Sequence, residues 1–200
     1  MKKKLFVLCL AILLVLPATL FAGSFLGLKV GAAAILNEPI PLDPESTFDP
    51  TQISIDDLSF GADIRLNVSV LEVSSLIQGM VMDWGEYGMG AYLYSYVGAG
   101  LSLELFGLVD FGITAGPFID AIVTESGDFW TSLDEATIEE QSLYLRGTVD
   151  VNLGGISVGL FAMVDPQVTI GDLMDPAFDP GSIAEPTSAI GGISVLLGLL

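Results

Sequence analysis

The 200-residue sequence contains no histidine and a single cysteine, Cys9. Without histidine, a Ser-His-Asp arrangement and a histidine-ligated metal site are both excluded. Cys9 lies in an N-terminal segment that we expect to be removed, so the remaining chain has no disulfide and no reactive thiol. Adjacent carboxylates occur, but nothing in their spacing fixes two of them across a cleft, as acid catalysis requires. We therefore expect neither enzymatic activity nor a cofactor.

Basic residues are also scarce. The sequence has 6 Lys and Arg against 25 Asp and Glu, a formal net charge of −19, and three of the six are Lys2, Lys3 and Lys4. Affinity for nucleic acid depends on Lys and Arg at the phosphates, so we exclude nucleic acid as a partner. High charge indicates disorder when hydrophobic residues are few, whereas this chain is 52% hydrophobic with a mean hydropathy of +0.68. The chain is therefore expected to fold.

A long apolar run is missing beyond the first residues. No later stretch of about 18 uninterrupted apolar residues could form a transmembrane helix. Residues 1–22 combine a basic start, an apolar run at 5–16 and small residues up to Ala22, which is typical of a cleaved signal peptide. A retained membrane helix is the alternative, but the apolar run is short and Pro17 follows it. We predict that residues 23–200 form one exported domain.

Short alternating segments hold the apolar residues instead. In LSFGADIRLNVSV, residues 58–70, apolar and polar side chains alternate with a period of two, which indicates an extended strand with two faces. Comparable segments bounded by Gly, Pro, Asn or Asp predict eight strands. Their predicted ranges are 24–35, 58–70, 75–82, 89–106, 111–123, 141–153, 156–164 and 188–200.

The connections between these strands alternate in length. The short ones are 71–74, 107–110 and 154–155, and the longer ones are 36–57, 83–88, 124–140 and 165–187. An antiparallel up-and-down order places the short connections at one end and the longer ones at the other. The longer connections hold 19 of the 25 acidic residues and no Lys or Arg. Short turns at one end and long loops at the other are typical of transmembrane barrels.

The three remaining basic residues, Lys29, Arg65 and Arg146, fall on the polar faces of their strands. A cation facing hydrocarbon at mid-bilayer costs about 2–4 kcal/mol, so in a transmembrane barrel these side chains must face the lumen. The lumen of eight strands has room only for side chains, so each cation needs a partner. The predicted lumen ion-pair network consists of Lys29, Asp63, Arg65, Glu104, Asp120, Arg146 and Asp150. Tyr92, Tyr94 and Tyr96 share one face and are predicted to line the lumen; a lipid-facing row of tyrosines is the alternative. Pro117 predicts a bulge or an early end to strand 111–123.

Residues 23–200 resemble the small eight-stranded bacterial outer-membrane barrels, the class of outer-membrane proteins A and X. The resemblance rests on the signal peptide, the strand number, the loop pattern and the terminal strand TSAIGGISVLLGLL. The predicted outward face of that strand comprises Ala189, Gly191, Ile193, Val195, Leu197 and Leu199. The resemblance implies an all-β antiparallel transmembrane barrel with periplasmic turns and extracellular loops, in contact with outer-membrane lipid. Members typically end in an aromatic residue that the barrel-assembly machinery recognises, and Leu200 stands there. A variant insertion signal, or a lineage with a different preference, is therefore implied.

Three functions are compatible with the sequence. The first is a structural or surface-interaction protein that displays acidic loops, the second a narrow cation-favouring channel. The third is a soluble periplasmic barrel or sandwich that binds a ligand, since one solvated sheet face also gives alternation; strands of 12 or 13 residues are long for such a fold. The loop acids could attract a basic surface partner or bind divalent cations weakly, without forming a specific metal site. The candidate residues for weak cation binding are Asp43, Glu45, Asp49, Asp172, Asp175 and Asp179.

Overall fold

The computed structural model describes residues 26–43, 49–83, 89–124, 127, 129–131, 138–179, 181, 183 and 185–199. The predicted signal peptide lies outside these residues. Eight long strands dominate the described chain: β1 Leu26–Leu36, β2 Leu58–Val68, β3 Leu71–Asp83, β4 Met89–Leu105, β5 Val109–Thr124, β6 Leu143–Asn152, β7 Ile156–Val164 and β8 Ser188–Gly198. Each strand pairs antiparallel with the next, and β8 pairs back onto β1. The closed eight-stranded up-and-down barrel predicted from the sequence is confirmed.

Tight turns join the strands at one end of the barrel, which we call the turn end. The β2–β3 turn contains Ser69 at a φ of 58°, and the β4–β5 turn contains Phe106 at 57°. The β6–β7 turn uses Gly154 and Gly155, at 74° and 94°, a backbone region that glycine enters without steric cost. All four longer connections leave from the opposite end, the loop end. The predicted asymmetry of the connections is therefore present.

Two predicted turns were too long. The residues predicted to form the turn at 71–74 belong to β3, and Val109 and Asp110 belong to β5. Glu72 and Asp110 are buried polar side chains that point into the barrel, while their neighbours Leu71 and Phe111 face outward. In the sequence, these two polar residues stand beside a turn and were therefore assigned to it. In the structure they continue the alternation of their strands.

The expectation that Pro117 bulges or ends its strand was wrong. β5 runs without a shift of register on either side of it, because Tyr96 pairs with Phe118 and Ala99 with Ala115. The pairs between these two are absent, so the β4–β5 ladder is interrupted at the proline. On the other edge, Pro117 forms the last pair of the β5–β6 ladder. Proline has no backbone N–H to donate. Pro117 therefore lies where the β4–β5 ladder is interrupted and where the β5–β6 ladder ends.

The inside of the barrel has two halves of different chemistry. A buried apolar cluster fills its width toward the loop end and consists of Ala33, Ile35, Leu76, Tyr96, Phe161 and Met163. Buried charged and hydroxyl side chains, including Asp63, Arg65 and Asp110, fill the middle and the half toward the turn end. Inward-facing residues of these two groups therefore interrupt the bore, so that the described part of the interior has no continuous channel.

Short strands and one helical turn lie at the loop end. Ile40–Pro41 pairs with the start of β8, and Phe129–Thr131 lies beside the end of β5. One helical turn, α1 Ile170–Met174, follows a capping box in which Thr169 and Asp172 bond each other's backbone. Among the described residues, the longest helices are too short to cross a bilayer.

Gly159 shows how tightly the lumen is packed. A Cβ at this residue would overlap the carboxylate of Asp150, its register partner on β6, whereas a Cβ at outward-facing Gly147 would meet nothing within 4 Å. We expect Gly159→Ala to lower the free energy of unfolding by about 1–3 kcal/mol through overpacking. Gly147→Ala is the matched control and is expected to be neutral or slightly stabilising. Urea unfolding in detergent measures both, and equal midpoints for the two variants would contradict the packing described here.

Candidate functional site: the lumen of the barrel

Asp63 lies at the centre of the lumen and is fully buried. It accepts bonds from Arg65 Nη2 at 2.8 Å and from Arg146 Nη2 at 2.6 Å, and a further bond from the Ser194 hydroxyl at 2.6 Å. These donors come from β2, β6 and β8, so the carboxylate links three strands across the barrel. A buried charge with several charged and hydroxyl donors is the arrangement that offsets its loss of hydration.

Arg65 and Lys29 extend this network toward the turn end. The Arg65 guanidinium also bonds Asp150 on β6. Lys29 on β1 bonds Asp110 on β5 and donates to Asn152 Oδ1 at 3.2 Å. Since β1 and β5 lie on opposite sides of an eight-stranded ring, the Lys29 side chain crosses the lumen. Charged side chains thus occupy the bore at two successive levels.

The structure brings together five of the seven residues predicted for the lumen network. Lys29, Asp63, Arg65, Arg146 and Asp150 form the ion pairs described above. The other two lie elsewhere along the lumen. Glu104 stands near the turn end, opposite Asp110 in the β4–β5 register, and Asp120 lies in the loop half, where its carboxylate accepts a hydrogen bond from Tyr92.

Sequence reasoning missed two acids of the lumen. Asp110 is the partner of Lys29, and buried Glu72 lies near both guanidinium groups and bonds Ser102. Both residues stand next to tight turns and were assigned to them. Extending the alternation of β3 and β5 by two residues toward the turn end would have placed both side chains inside.

A layer of hydroxyl and aromatic groups separates the ion pairs from the loop end. The hydroxyl of Thr114 lies 2.9 Å from the Tyr96 hydroxyl and 3.0 Å from that of Ser74. Phe161 lies on the other side of the lumen, with its ring centre 4.9 Å from the Arg146 guanidinium carbon, a cation–π contact. Tyr96 is fully buried, so the innermost of the three predicted lumen tyrosines caps the charged half.

A cavity of about 730 Å³ lies above this layer and is called the loop-end cavity. Tyr92, Tyr94 and Phe118 form one wall of it, and Gln78 and Ser59, hydrogen-bonded to each other, form part of another. The remaining lining residues are Ile35, Leu36, Asn37, Pro39, Leu76, Met80, Met163 and Ile190. Residues of the buried apolar cluster form its floor, so the cavity ends inside the barrel.

The acidic loop residues have local structural roles. Asp49 accepts bonds from Thr51 and Gln52, and Asp172 caps α1 through Thr169. The Thr51 and Gln52 side chains hold the pKa of the Asp49 carboxyl below its ordinary value, and the Thr169 backbone and hydroxyl do the same for the pKa of Asp172.

The structure does not gather the remaining loop acids into a site. Asp175 and Asp179 each accept a backbone N–H two residues further on, at 2.8 and 2.9 Å. Asp43 is exposed, and Glu45 lies outside the described residues. Within the described ranges, no group of three or more acids is arranged to hold a metal ion.

The fold and the site define a small, closed, antiparallel β-barrel whose lumen is filled by ion pairs and an apolar cluster. Among solved structures the chain matches Ail, the attachment invasion locus protein of Yersinia pestis. The structure of Ail with the heparin analogue sucrose octasulfate matches at a TM-score of 0.42, and that of Ail alone at 0.37. Both are 11% identical in sequence and cover 86% of this chain and 95% of Ail. No family model and no curated protein matches the chain.

Proposed function

We propose that this chain is a bilayer-spanning barrel of the bacterial outer membrane, and that its filled lumen makes it an anchor for acidic surface loops. The observation that carries the proposal is the chemistry of the outward face. Large apolar side chains are exposed around the barrel wall: Phe60 on β2, Ile113 on β5 and Leu160 on β7 are 58%, 58% and 63% exposed. A continuous apolar belt of this kind marks contact with a membrane or a partner rather than with water.

The outward face also lacks charge. At the strand positions whose side chains the structure describes, the outward face carries no charged residue. Serine at positions 75 and 95 supplies the polar groups of the belt. Every Lys and Arg of the strands faces inward. On a soluble barrel, an outward cation would be hydrated and would carry no energetic penalty. Hydrocarbon around the barrel explains this one-sided distribution, because a cation at mid-bilayer costs about 2–4 kcal/mol.

The strand lengths and terminal aromatics fit a bilayer. A tilted strand of about 9–11 residues crosses the hydrocarbon core, and the shortest barrel strand, β7, has 9 residues. Phe106 is 85% exposed in the β4–β5 turn, at the depth where aromatic side chains anchor barrels to the membrane interface.

A groove of about 870 Å³ offers the lipid a specific contact. It runs over the outward surface between the first long loop and β6–β8, and Ile53, Val149, Leu160 and Ile193 are among its lining residues. Because this lining is apolar and faces the bilayer in the proposed orientation, we assign the groove to lipid acyl chains. In this orientation the acidic loops leave from the loop end of the barrel, where their negative charge attracts a basic surface partner.

The lumen argues against the cation-channel alternative. Arg65, Arg146 and Asp63 are almost entirely buried inside the barrel, and the apolar cluster closes the bore above them. Moving an ion through this interior requires breaking buried ion pairs, at a cost of several kcal/mol. The alternative of a soluble periplasmic protein conflicts with the exposed apolar belt, because a soluble barrel would present that belt to water.

Conductance and membrane recovery test the two parts of the proposal separately. The full chain is expected to fractionate with outer membranes and to show heat-modifiable migration in detergent gels. In planar bilayers, the same preparation is expected to give no steady conductance. Persistent cation-selective current would overturn the closed lumen, and a folded protein that stays in solution without detergent would overturn the membrane location.

A further inference from the structure

A membrane anchor does not need the loop-end cavity. In a barrel that serves only as an anchor, side chains could close the lumen along its whole height. In this barrel they do so in the half toward the turn end. We propose that the loop-end cavity binds a lipophilic organic cation, meaning a molecule with an aromatic or aliphatic body and a quaternary or delocalised positive charge.

The cavity has the size of a small-molecule site. Its volume of about 730 Å³ lies within the range of about 300–1,000 Å³ typical of ligand pockets. Its lining is mostly apolar, with a few convergent polar groups from Gln78, Ser59 and Tyr92. Such a lining binds the hydrophobic body of a ligand and uses the polar groups to orient it.

Aromatic rings form one wall of the cavity. Tyr92 stacks beside Tyr94 with ring centres 6.3 Å apart, and Tyr94 stacks on Phe118 at 4.1 Å. Because the faces of Tyr94 and Phe118 turn toward each other, this wall supplies a rigid apolar surface for the aromatic or aliphatic body of a ligand.

A carboxylate directly behind the lining gives the cavity its preference for positive charge. Asp120 pairs with Tyr94 in the β4–β5 register, and its carboxylate accepts a bond from the hydroxyl of the lining residue Tyr92. No basic side chain is among the described residues that line the cavity, since Lys29, Arg65 and Arg146 bond acids deeper in the barrel. The charge of Asp120 therefore attracts an organic cation in the cavity and repels an organic anion.

The floor of the cavity indicates binding rather than passage. Ile35, Leu76 and Met163 belong both to the cavity lining and to the buried apolar cluster. Below them, the layer of Tyr96 and Thr114 and then the ion pairs fill the bore. A ligand that enters from the loop end has no exit toward the turn end.

The test compares two probes of the same shape and opposite charge. Tetraphenylphosphonium and tetraphenylborate are titrated by calorimetry into the full chain in non-ionic detergent, with protein-free micelles as the blank. We expect saturable one-to-one binding of the phosphonium and at least tenfold weaker binding of the borate. The inference concerns the lumen and not the membrane location, so this experiment in detergent can fail while the membrane proposal stands, and the reverse.

Three variants locate the binding. Asp120→Asn removes the charge without changing the shape and is expected to weaken phosphonium binding about tenfold. Tyr92→Leu removes an aromatic ring of the lining together with the hydroxyl that bonds Asp120, and is expected to weaken it several-fold. Glu185→Gln removes an exposed loop charge and is the control, with unchanged affinity expected. Heat-modifiable migration verifies that each variant is folded.

Two results would overturn the proposal. One is equal saturable binding of both probes, or no saturable binding of the phosphonium, by the unmodified chain. The other is a folded Asp120→Asn variant that binds the phosphonium as the unmodified chain does. Should Asp120→Asn not fold, the probe pair on the unmodified chain together with Tyr92→Leu still decides the question.

Discussion

Replacing Arg65 with leucine is expected to lower the free energy of unfolding by about 3–5 kcal/mol. The guanidinium of Arg65 bonds Asp63 and Asp150, and all three side chains are almost completely buried. Leucine has about the right size for the lumen but leaves Asp150 without this bond in an interior that cannot hydrate it. Reversible urea unfolding of the barrel in detergent or lipid vesicles measures the effect.

Two further variants separate the charge effect from packing. Adding Asp150→Leu to Arg65→Leu removes the abandoned carboxylate, and we expect the double variant to be more stable than Arg65→Leu alone. Lys29→Met is the milder comparison, because the Lys29 side chain is 18% exposed and reaches the wetter turn end. Identical unfolding curves for Arg65→Leu and the unmodified chain would contradict the lumen network.

Replacing Leu160 with arginine is expected to lower the free energy of unfolding in a bilayer by about 2–4 kcal/mol. Leu160 is the central residue of β7 and points outward. On the surface of a water-soluble protein, an arginine at a residue this exposed would change stability by less than about 0.5 kcal/mol. The size of the effect therefore distinguishes a bilayer-spanning barrel from a soluble one.

Ile138→Arg provides the matched control for this experiment. Ile138 is 66% exposed, close to the 63% of Leu160, but it lies in the short helical turn Ile138–Glu140 outside the strands. We expect Ile138→Arg to leave unfolding in lipid vesicles unchanged within about 0.5 kcal/mol. Equal effects of the two substitutions would show that both residues meet the same solvent.

Alternation alone predicted most of the barrel. A strand has a side-chain period of two, so assigning one residue to a face assigns all the others. Polar residues alternate with apolar ones in 58–70, which indicated the face shared by Asp63 and Arg65 before any pairing was known. The seventh predicted strand, 156–164, agrees with β7 at both ends.

The height of a residue along the barrel was not predictable. Asp120 and Glu104 were assigned to the inward face together with Asp63, but each lies at a different level from it. Level depends on the stagger between neighbouring strands, which the closure of the ring fixes and no single strand encodes. For the same reason, the division into a charged half and an apolar half, and the loop-end cavity, have no signature in the sequence.

The depth of Leu160 in the bilayer tests the central claim most directly. In a chain with Cys9 replaced by serine, Leu160→Cys and Ile138→Cys each receive a bimane fluorophore and are reconstituted into vesicles with nitroxide lipids. We expect the fluorophore at residue 160 to be quenched most by nitroxides deep on the acyl chains and to be shielded from aqueous iodide. The fluorophore at residue 138 is expected to respond to iodide. Iodide quenching of both fluorophores, with no effect of the deep nitroxides, would contradict a bilayer-spanning barrel.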